Sequence, residues 1–215
     1  MLGAAHPVGG ILNHICWEGK DLAPSKIVCI GRNYVEHIAE LGNAVPDELV
    51  VFNKPNSSIS ESLRSYDQEP LHFETELCFL VRHGDLVAAA VGLDLTKREL
   101  QSKLKKKALP WERAKAFNGA ALFTEFKSID SDAVPTLSFS LTIDGRLQQS
   151  ANTERMMYKP EMIKELVAEF MHLQDNDIVM TGTPKGVGQV KAGSLYHVQL
   201  FARQKLLIER SWRAI

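Results

Sequence analysis

Three acidic residues are spaced so that a single divalent cation could bind all of them. Glu74 and Glu76 are separated by one residue, and Asp94 follows eighteen residues after Glu76. Apolar and polar residues alternate through 71–80, which predicts a half-buried strand with both glutamates on one face, about 7 Å apart. Carboxylate oxygens alone favour Mg²⁺ or Mn²⁺, with Ca²⁺ also acceptable, over zinc or copper. An isolated Glu-x-Glu pair is more often a solvated strand face, so the metal hypothesis depends on the remaining motifs.

His37 and Glu40 form a second candidate group. They are three positions apart in 34–41, where a helix would place both side chains on one face beside an apolar stripe of Ile38 and Leu41. A histidine that is oriented by a carboxylate can act as a general base. The alternative, a solvent-exposed surface pair, is the commoner meaning of this spacing.

Two further segments could contact a small anionic ligand. Lys115 lies in the otherwise apolar stretch 111–117, although most lysines beside apolar residues simply extend toward solvent. The glycine-rich segment 181–188 lacks the spacing of a phosphate-binding loop, and no clear helix follows it. It predicts a tight loop whose backbone N–H groups approach a substrate carboxylate, or else a plain turn between strands.

The elements that must position these residues are mostly β-strands. Strands are predicted at 26–30, 49–52, 71–80, 87–95, 137–143, 178–180, 195–201 and 205–212. Asp144 followed by Gly145 predicts a hairpin turn after 137–143. Segment 56–70 is rich in Ser, Asp and Glu, which predicts an exposed loop.

Fewer helices are predicted than strands. They are expected over 34–41, from Thr96 to about Lys107, and from Pro160 onward. The second is expected to begin at Thr96 because Thr96 and Glu99 have the spacing of a capping box. With no internal repeat and no regular βαβ alternation, the pattern indicates a mixed α/β fold that is mainly β.

Composition indicates one soluble globular domain. The chain has 215 residues, 45% of them hydrophobic, and a formal charge of −1, so its total charge does not favour nucleic acid or an anionic membrane. The basic run 103–107 predicts a solvated helix face. Cys16, Cys29 and Cys78 lack metal-binding spacing, and their odd, sparse count favours a reducing environment; Cys29 and Cys78, inside apolar strand-like runs, are predicted to be core thiols. No apolar stretch reaches the ~18 residues of a membrane span, so we expect an intracellular, cytoplasmic protein without nucleic-acid or membrane partners.

Five motifs, in order, closely resemble those of the fumarylacetoacetate hydrolase family. They are 31–40, the Glu74-x-Glu76 pair, 93–101, 110–117 and 181–188. Within the family the chain is most similar to the small acylpyruvase and oxaloacetate decarboxylase members, which carry only the catalytic domain. The resemblance implies a β-roll with flanking helices, usually found as a homodimer. It makes 1–25 a short N-terminal extension and 26–215 the catalytic domain.

The resemblance also implies roles for individual residues. The ligands of Mg²⁺ or Mn²⁺ are matched by Glu74, Glu76 and Asp94. The His–Glu dyad of the family's mobile lid helix and the lysine beside the bound substrate are matched by His37, Glu40 and Lys115. Groups that contact the substrate are matched by Arg32, Gln101 and Thr183.

The chain departs from the family pattern in three places. His72-Phe73 stands where many relatives have two histidines, and 118–120 follows the lysine motif in an unusual way. The segment between Glu76 and Asp94 is shorter than in relatives by about the length of a helix, which indicates either a real deletion or a mobile segment that is missing from this sequence. These departures concern the wall of the pocket and leave the three carboxylates intact.

The implied activity is metal-dependent cleavage of a C–C bond in a small 2-keto or 2,4-diketo acid, by acylpyruvate hydrolysis or oxaloacetate decarboxylation. A 2-keto acid chelates a cation through its carboxylate and keto oxygens, and the cation stabilises the enolate that forms when the next C–C bond breaks. Hydrolysis also needs an activated water, which is a task for His37. One alternative is isomerisation or decarboxylation of an aromatic-breakdown dicarboxylate of the 2-hydroxyhepta-2,4-diene-1,7-dioate type. Another is a non-catalytic binding protein of the same fold.

Overall fold

Within residues 12–40, 42 and 44–215, which the computed structural model describes, the chain forms seventeen β-strands and four α-helices. The strands are β1 (Ile15–Trp17), β2 (Lys20–Leu22), β3 (Lys26–Gly31), β4 (Val50–Pro55), β5 (Tyr66–Asp67), β6 (Glu69–Phe73), β7 (Thr75–Arg82), β8 (Asp85–Asp94), β9 (Thr96–Lys97), β10 (Ala121–Phe123), β11 (Lys127–Ser128), β12 (Leu137–Ile143), β13 (Arg146–Asn152), β14 (Ile178–Met180), β15 (Gly188–Gln189), β16 (Leu195–Ala202) and β17 (Lys205–Arg213). The helices are α1 (Val35–Glu40), α2 (Arg98–Lys106), α3 (Glu112–Lys115) and α4 (Pro160–Ala168).

Seven of these strands form the principal sheet, in the order β10-β8-β7-β14-β3-β4, with β11 also paired to β8. β14 runs parallel to β3 and antiparallel to β7, so a late segment of the chain lies between two early ones. A second sheet has the order β13-β12-β16-β17, and a smaller one pairs β6 with β15, β5 and β9. The fold is the mainly β roll with flanking helices that the sequence and its resemblance predicted.

Both faces of the principal sheet are buried. Phe79 of β7 packs in one hydrophobic cluster with Val198 of the second sheet and Ile163 of α4. Cys78, the next residue back along β7, belongs to a cluster on the opposite face with Cys29 and Phe126. Both of these cysteines are free and fully buried, as predicted, and burial raises the pKa of each thiol.

The prediction of one half-buried strand over 71–80 is wrong. Strand structure is interrupted at Glu74, where β6 ends and β7 begins, and β7 is buried on both faces because sheets and helices cover both of them. The other predicted strands are present, with ends that differ by a few residues, and the Asp144-Gly145 hairpin joins β12 to β13. Helices α1 and α4 lie in the segments where the sequence predicted them, at 34–41 and from Pro160 onward. Leu41 is outside the described residues.

The predicted start of α2 at Thr96 is also wrong. The helix begins at Arg98, because Thr96 pairs with β6 as part of β9. The carboxylate of Glu69, on β6, accepts hydrogen bonds from the backbone N–H groups of Glu99 at 2.8 Å and Leu100 at 3.2 and 3.3 Å. A side chain from another element therefore satisfies the free donors at this helix end, so no capping box is needed.

Segment 56–70 is less exposed than predicted. It contains a 3-10 turn at Asn56–Ser58 and the strand β5, and it buries Ile59 and Leu63 in the two hydrophobic clusters. Before it in the chain, β1 and β2 form a hairpin that covers one face of the principal sheet. The first eleven residues of the predicted N-terminal extension lie outside the described residues. In the part of the chain that the structure describes, no helix has the length and apolar character needed to cross a membrane.

The β7–β8 hairpin closes in two residues, His83 and Gly84, between the paired residues Arg82 and Asp85. Both turn residues have positive φ, 51° and 81°, which is the backbone of a tight hairpin turn. The segment that the resemblance implies to be shorter than in relatives therefore forms a complete hairpin, with the candidate metal ligands at its opposite end.

Candidate active site

The β7–β8 hairpin brings the three predicted metal ligands together. Glu76 pairs with Gly92, and the backbone N–H of Asp94 donates to the carbonyl oxygen of Glu74 over 2.8 Å. This register places Asp94 beside both glutamates, because facing and diagonal side chains of an antiparallel pair are neighbours. One oxygen from each of the three carboxylates lies within 4.8 Å of the others, and all three side chains are buried.

Three cationic side chains compensate much of this negative charge. Lys115 Nζ lies 2.7 Å from Glu74 Oε2 and 2.7 Å from Asp94 Oδ2. Lys54 Nζ lies 2.7 Å from the other oxygen of the aspartate, Asp94 Oδ1. Arg98 Nη2 donates to Glu74 Oε1. Two of the carboxylates are thus held in place by ion pairs on both of their oxygens.

The carboxylates differ in their electrostatic environment. Burial alone would raise the pKa of Glu74, but the positive charges of Lys115 and Arg98 hold it below its usual range. Burial raises the pKa of Glu76 well above its usual range, and the negative charges of Asp94 and Glu74 add to that effect. Burial opposes the charge of Lys115, yet the same two carboxylates raise its pKa.

Glu76 is the member of the triad without an ion pair in the described part of the chain. Its Oε2 accepts a hydrogen bond from the backbone N–H of Gly182 at 2.8 Å. A buried carboxylate is costly unless a cation compensates it, and hard divalent cations prefer clusters of such oxygens. The donor set of Glu74, Glu76 and Asp94 therefore fits Mg²⁺ or Mn²⁺.

Helix α1 places His37 and Glu40 against the glycine-rich loop at 181–188. His37 Nδ1 lies 3.2 Å from Glu40 Oε2, and the backbone N–H of Gly186 donates to both oxygens of Glu40, at 3.0 and 3.2 Å. The alternative of a surface pair is wrong for His37, whose side chain is buried. The 181–188 loop was predicted to bring backbone N–H groups to a substrate carboxylate. Within the described residues, its N–H groups donate to carboxylates of the protein itself, those of Glu40 and Glu76.

A small pocket, about 30 Å³ in volume, is lined by Glu74 and Glu76 of the triad and by His37 of the dyad, whereas Asp94 and Glu40 do not reach its wall. The predicted site residues in its wall are Arg32, His37, Glu74, Glu76, Gln101, Lys115 and Thr183. Gln101 Oε1 accepts from Arg98 Nη1 at 2.8 Å, and Thr183 Oγ1 accepts from Gln149 Nε2 at 2.9 Å. The structure therefore gathers the predicted residues in one place, and their roles stay predictions.

Several site residues were not found from the sequence. Lys54 is fully buried and pairs with Asp94. The sequence feature that could have indicated this role is the presence of a lysine inside a strand. Gln149 connects the start of β7 to the 181–188 loop, because it accepts from the N–H of Thr75 and donates to Thr183. Lys105 lines the pocket, so the solvated face predicted for 103–107 is wrong at that position. Lys105 is four positions after Gln101 and so shares its helix face, which could have indicated that Lys105 lines the pocket.

Comparison with known proteins gives a consistent result. The family model for the fumarylacetoacetate (FAA) hydrolase C-terminal domain matches residues 26–207. Oxaloacetate tautomerase YcgM of Escherichia coli (strain K12) is 35% identical over 200 residues, covering 84% of this chain and 91% of that protein. The mitochondrial oxaloacetate tautomerase FAHD1 of Arabidopsis thaliana is 38% identical over 188 residues, covering 79% of this chain and 83% of that protein.

Solved structures agree with the sequence comparison. A putative fumarylacetoacetate isomerase/hydrolase from Oleispira antarctica superposes with a TM-score of 0.87 at 30% identity, covering 95% of this chain and 100% of that one. Fumarylpyruvate hydrolase from Pseudomonas aeruginosa, solved with Mn²⁺ and pyruvate, gives a TM-score of 0.83 at 25% identity, covering 100% and 99%.

The alignment lengths are consistent with a shortened segment in this chain. The alignment with the Escherichia coli relative is 200 residues long but includes only 84% of this chain, which is about 181 of its 215 residues. The relative therefore has residues in the aligned region that this chain lacks. The match to the family model covers most of the chain, and the identity to both relatives exceeds 30%. The chain belongs to the fumarylacetoacetate hydrolase family.

Proposed function

We propose that this protein is a metal-dependent enzyme that forms the enolate of a short 2-keto acid, with oxaloacetate as its substrate. The observation that carries the proposal is the buried carboxylate triad of Glu74, Glu76 and Asp94, two of whose members, Glu74 and Glu76, line a pocket together with cationic side chains. The names of the Escherichia coli and Arabidopsis thaliana relatives support oxaloacetate in particular. Loss of carbon dioxide from oxaloacetate and exchange between its keto and enol forms both pass through this enolate.

A bound divalent cation would hold the carboxylate and keto oxygens of the substrate and stabilise negative charge on the keto oxygen. Lys115 lies between Glu74 and Asp94, where its ammonium group offsets part of the negative charge of both carboxylates and adds positive charge next to the substrate. Arg98 holds Glu74 from the other side. These contacts fix the geometry of the triad before substrate arrives, which is what electrostatic stabilisation of an enolate requires.

The dyad supplies a group that can move a proton. Glu40 accepts from His37 Nδ1, so the other ring nitrogen, Nε2, is available to accept a proton. Gly186 fixes Glu40 with its backbone N–H, and so fixes the orientation of the histidine. In a keto–enol exchange His37 would carry the proton to or from the carbon next to the keto group. Simple decarboxylation needs this group less.

The size of the pocket favours a short substrate. The free space inside the pocket is small, about 30 Å³. We therefore expect α1 or the 181–188 loop, which contribute His37 and Thr183 to the pocket wall, to move when substrate enters, and a four-carbon acid requires a smaller displacement than a longer one. Closure over the substrate would then remove water from the enolate.

Acylpyruvate hydrolysis is the second candidate. His37 is buried in the pocket wall with a carboxylate partner, which suits activation of a water molecule. The similarity to fumarylpyruvate hydrolase from Pseudomonas aeruginosa supports the same reaction class. Both candidates use the same metal ligands and differ in whether His37 delivers water or a proton.

The test is a three-substrate assay of the purified full chain. Oxaloacetate enol-to-keto conversion, oxaloacetate decarboxylation and acetylpyruvate hydrolysis would each be measured with Mg²⁺, with Mn²⁺ and after chelation. Because metal ions act on oxaloacetate without protein, the Glu76→Gln variant serves as the matched background. We expect the largest rate above this background for oxaloacetate, and its loss after chelation. Rates equal to the variant on all three substrates would refute the proposal and favour a non-catalytic binding protein.

A further inference from the structure

Helix α2 presents one face to the active-site pocket. Arg98, Gln101 and Lys105 stand at positions i, i+3 and i+7, which share a face of an α-helix, and all three line the pocket. Arg98 Nη1 donates to Gln101 Oε1 at 2.8 Å, and Arg98 also pairs with Glu74. Lys105 differs from the other two. Across residues 12–40, 42 and 44–215, its ammonium group makes neither an ion pair nor a hydrogen bond with a protein group.

Lys105 and Lys115 each contact one ring of an aromatic pair in the pocket wall. Lys105 Nζ lies 4.5 Å from the centroid of the Trp111 ring, and the centroids of the Trp111 and Phe52 rings are 6.2 Å apart. Lys115 Nζ, which contacts the metal-ligand carboxylates, lies 5.2 Å from the centroid of the Phe52 ring. Both rings line the pocket. The pocket therefore has a cationic group at each end of an aromatic wall.

The charges around Lys105 make it a receptor for an anion. Its partial burial lowers its pKa to about 8, and the positive charges of Arg32, Arg98 and Lys115 contribute, opposed by the negative charge of Glu74. At neutral pH the group is still mainly protonated. A bound anion would reduce the repulsion between Lys105 and these cations. It would also accept a charge-assisted hydrogen bond from the Lys105 ammonium group, and such bonds are stronger than those between neutral groups.

We propose that Lys105 binds the second carboxylate of a dicarboxylate substrate whose 2-keto acid end lies at Glu74, Glu76 and Asp94. This inference rests on the proposed function and adds to it the residue that recognises the second carboxylate of the substrate. The enzyme would prefer short 2-keto dicarboxylic acids over monocarboxylic acids of the same length. A monocarboxylic acid would leave Lys105 without a partner and place an apolar end among cations. Lys105 is thus a specificity-determining residue.

The test compares two unreactive ligands that differ in one group. L-Malate and (S)-2-hydroxybutyrate share a four-carbon 2-hydroxy acid, and malate has a carboxylate where hydroxybutyrate has a methyl group. Their affinities would be measured by titration calorimetry on the full chain with Mg²⁺ at neutral pH. Because malate can form a charge-assisted hydrogen bond that hydroxybutyrate cannot, we expect malate to bind at least about tenfold more tightly.

Two variants make the comparison specific. Lys105→Met keeps a long side chain over Trp111, and we expect it to lower the affinity for malate to that for hydroxybutyrate. Its affinity for oxalate, which reports on the metal end of the pocket alone, should not change. Lys106→Met is the matched control, because Lys106 is exposed on the same helix. This control should keep the wild-type preference for malate.

The outcomes separate this inference from the proposed function. Equal affinities for the two ligands in the wild-type protein, no binding of malate, or an unchanged preference in Lys105→Met would each overturn the role of Lys105. None of these results would affect turnover of keto acids in the three-substrate assay. A preference for malate that depends on Lys105, together with no turnover, would support the anion site and contradict only the enzymatic proposal.

Discussion

Replacing Lys54 by methionine should destabilise the protein most when no metal is bound. The Lys54 side chain is fully buried, with Nζ 2.7 Å from Asp94 Oδ1. It also donates to the backbone carbonyl of Lys115 and, more weakly at 3.4 Å, to that of Leu95. Methionine keeps the length of the side chain but removes its charge and its donors. A buried carboxylate then loses one of two cations, and two carbonyl groups lose a donor.

The expected loss follows from these contacts. Removing one partner of a buried ion pair costs about 3–5 kcal/mol. Asp94 keeps the contact with Lys115 at 2.7 Å, so we expect the lower end of that range, about 3 kcal/mol. For a chain of this size about 1 kcal/mol changes Tm by 2–4 °C, so Tm should fall by roughly 6–12 °C. A divalent cation on Asp94 would replace part of the lost charge and make the fall smaller.

The assay is thermal unfolding of Lys54→Met, with chelator and with saturating Mg²⁺. Lys26→Met is the control, because Lys26 pairs with the buried carboxylate of Asp177 and does not line the pocket. Its loss of stability should be the same in both conditions. A loss under about 1 kcal/mol for Lys54→Met, within the range of an ordinary hydrogen bond, would refute the reasoning. The same loss with and without Mg²⁺ would show that Lys54 does not compensate a metal ligand.

Four further predictions concern the site. Glu76→Gln should weaken Mg²⁺ binding and activity together, because it removes a ligand charge; calorimetry showing wild-type Mg²⁺ affinity would contradict the ligand assignment. His37→Ala should lower acetylpyruvate hydrolysis by on the order of 10²-fold and oxaloacetate decarboxylation by less, whereas equal losses would assign the histidine to positioning. Hydrogen exchange in 33–45, which includes α1, should slow when oxalate binds with Mg²⁺, and unchanged exchange with bound oxalate would argue against a lid. Affinity for malate should fall as pH rises through the pKa of Lys105, about 8, since only the protonated form attracts the second carboxylate. In Lys105→Met this pH dependence should be absent, and a wild-type affinity that stays constant across that pH range would contradict it.

Local sequence patterns were sufficient where neighbouring residues decide the structure. The Asp144-Gly145 turn, the start of α4 at Pro160 and the buried strand β14 all follow from residues within the element itself. The start of α2 was predicted wrongly because groups from other elements compete for its capping residue. Thr96 Oγ1 accepts a hydrogen bond from Lys115 Nζ at 2.7 Å, and Glu69 binds the free N–H groups instead.

The candidate site shows the same division. The spacing of Glu74, Glu76 and Asp94 could be interpreted from the sequence, since a hairpin brings its two strands together whatever the rest of the fold does. The contact of Lys54 with Asp94 could not, because 40 positions separate the two residues and β4 and β8 are not adjacent in the sheet. The inward direction of Lys105 depends on the packing of α2 against Trp111, which no local pattern specifies.

The position of the triad in the hairpin is compatible with the short segment that the family resemblance implies there. The two-residue turn lies at one end of β7 and β8, which are eight and ten residues long, and the carboxylates lie at the other. Residues added or removed at His83 and Gly84 change only the turn, provided that the pairing of Glu76 with Gly92 persists. A single deletion inside β7 would be different, because it would exchange the two faces of the strand beyond it. Glu76 could then exchange places with a core residue, so a change of length that keeps the three carboxylates together is expected at the turn.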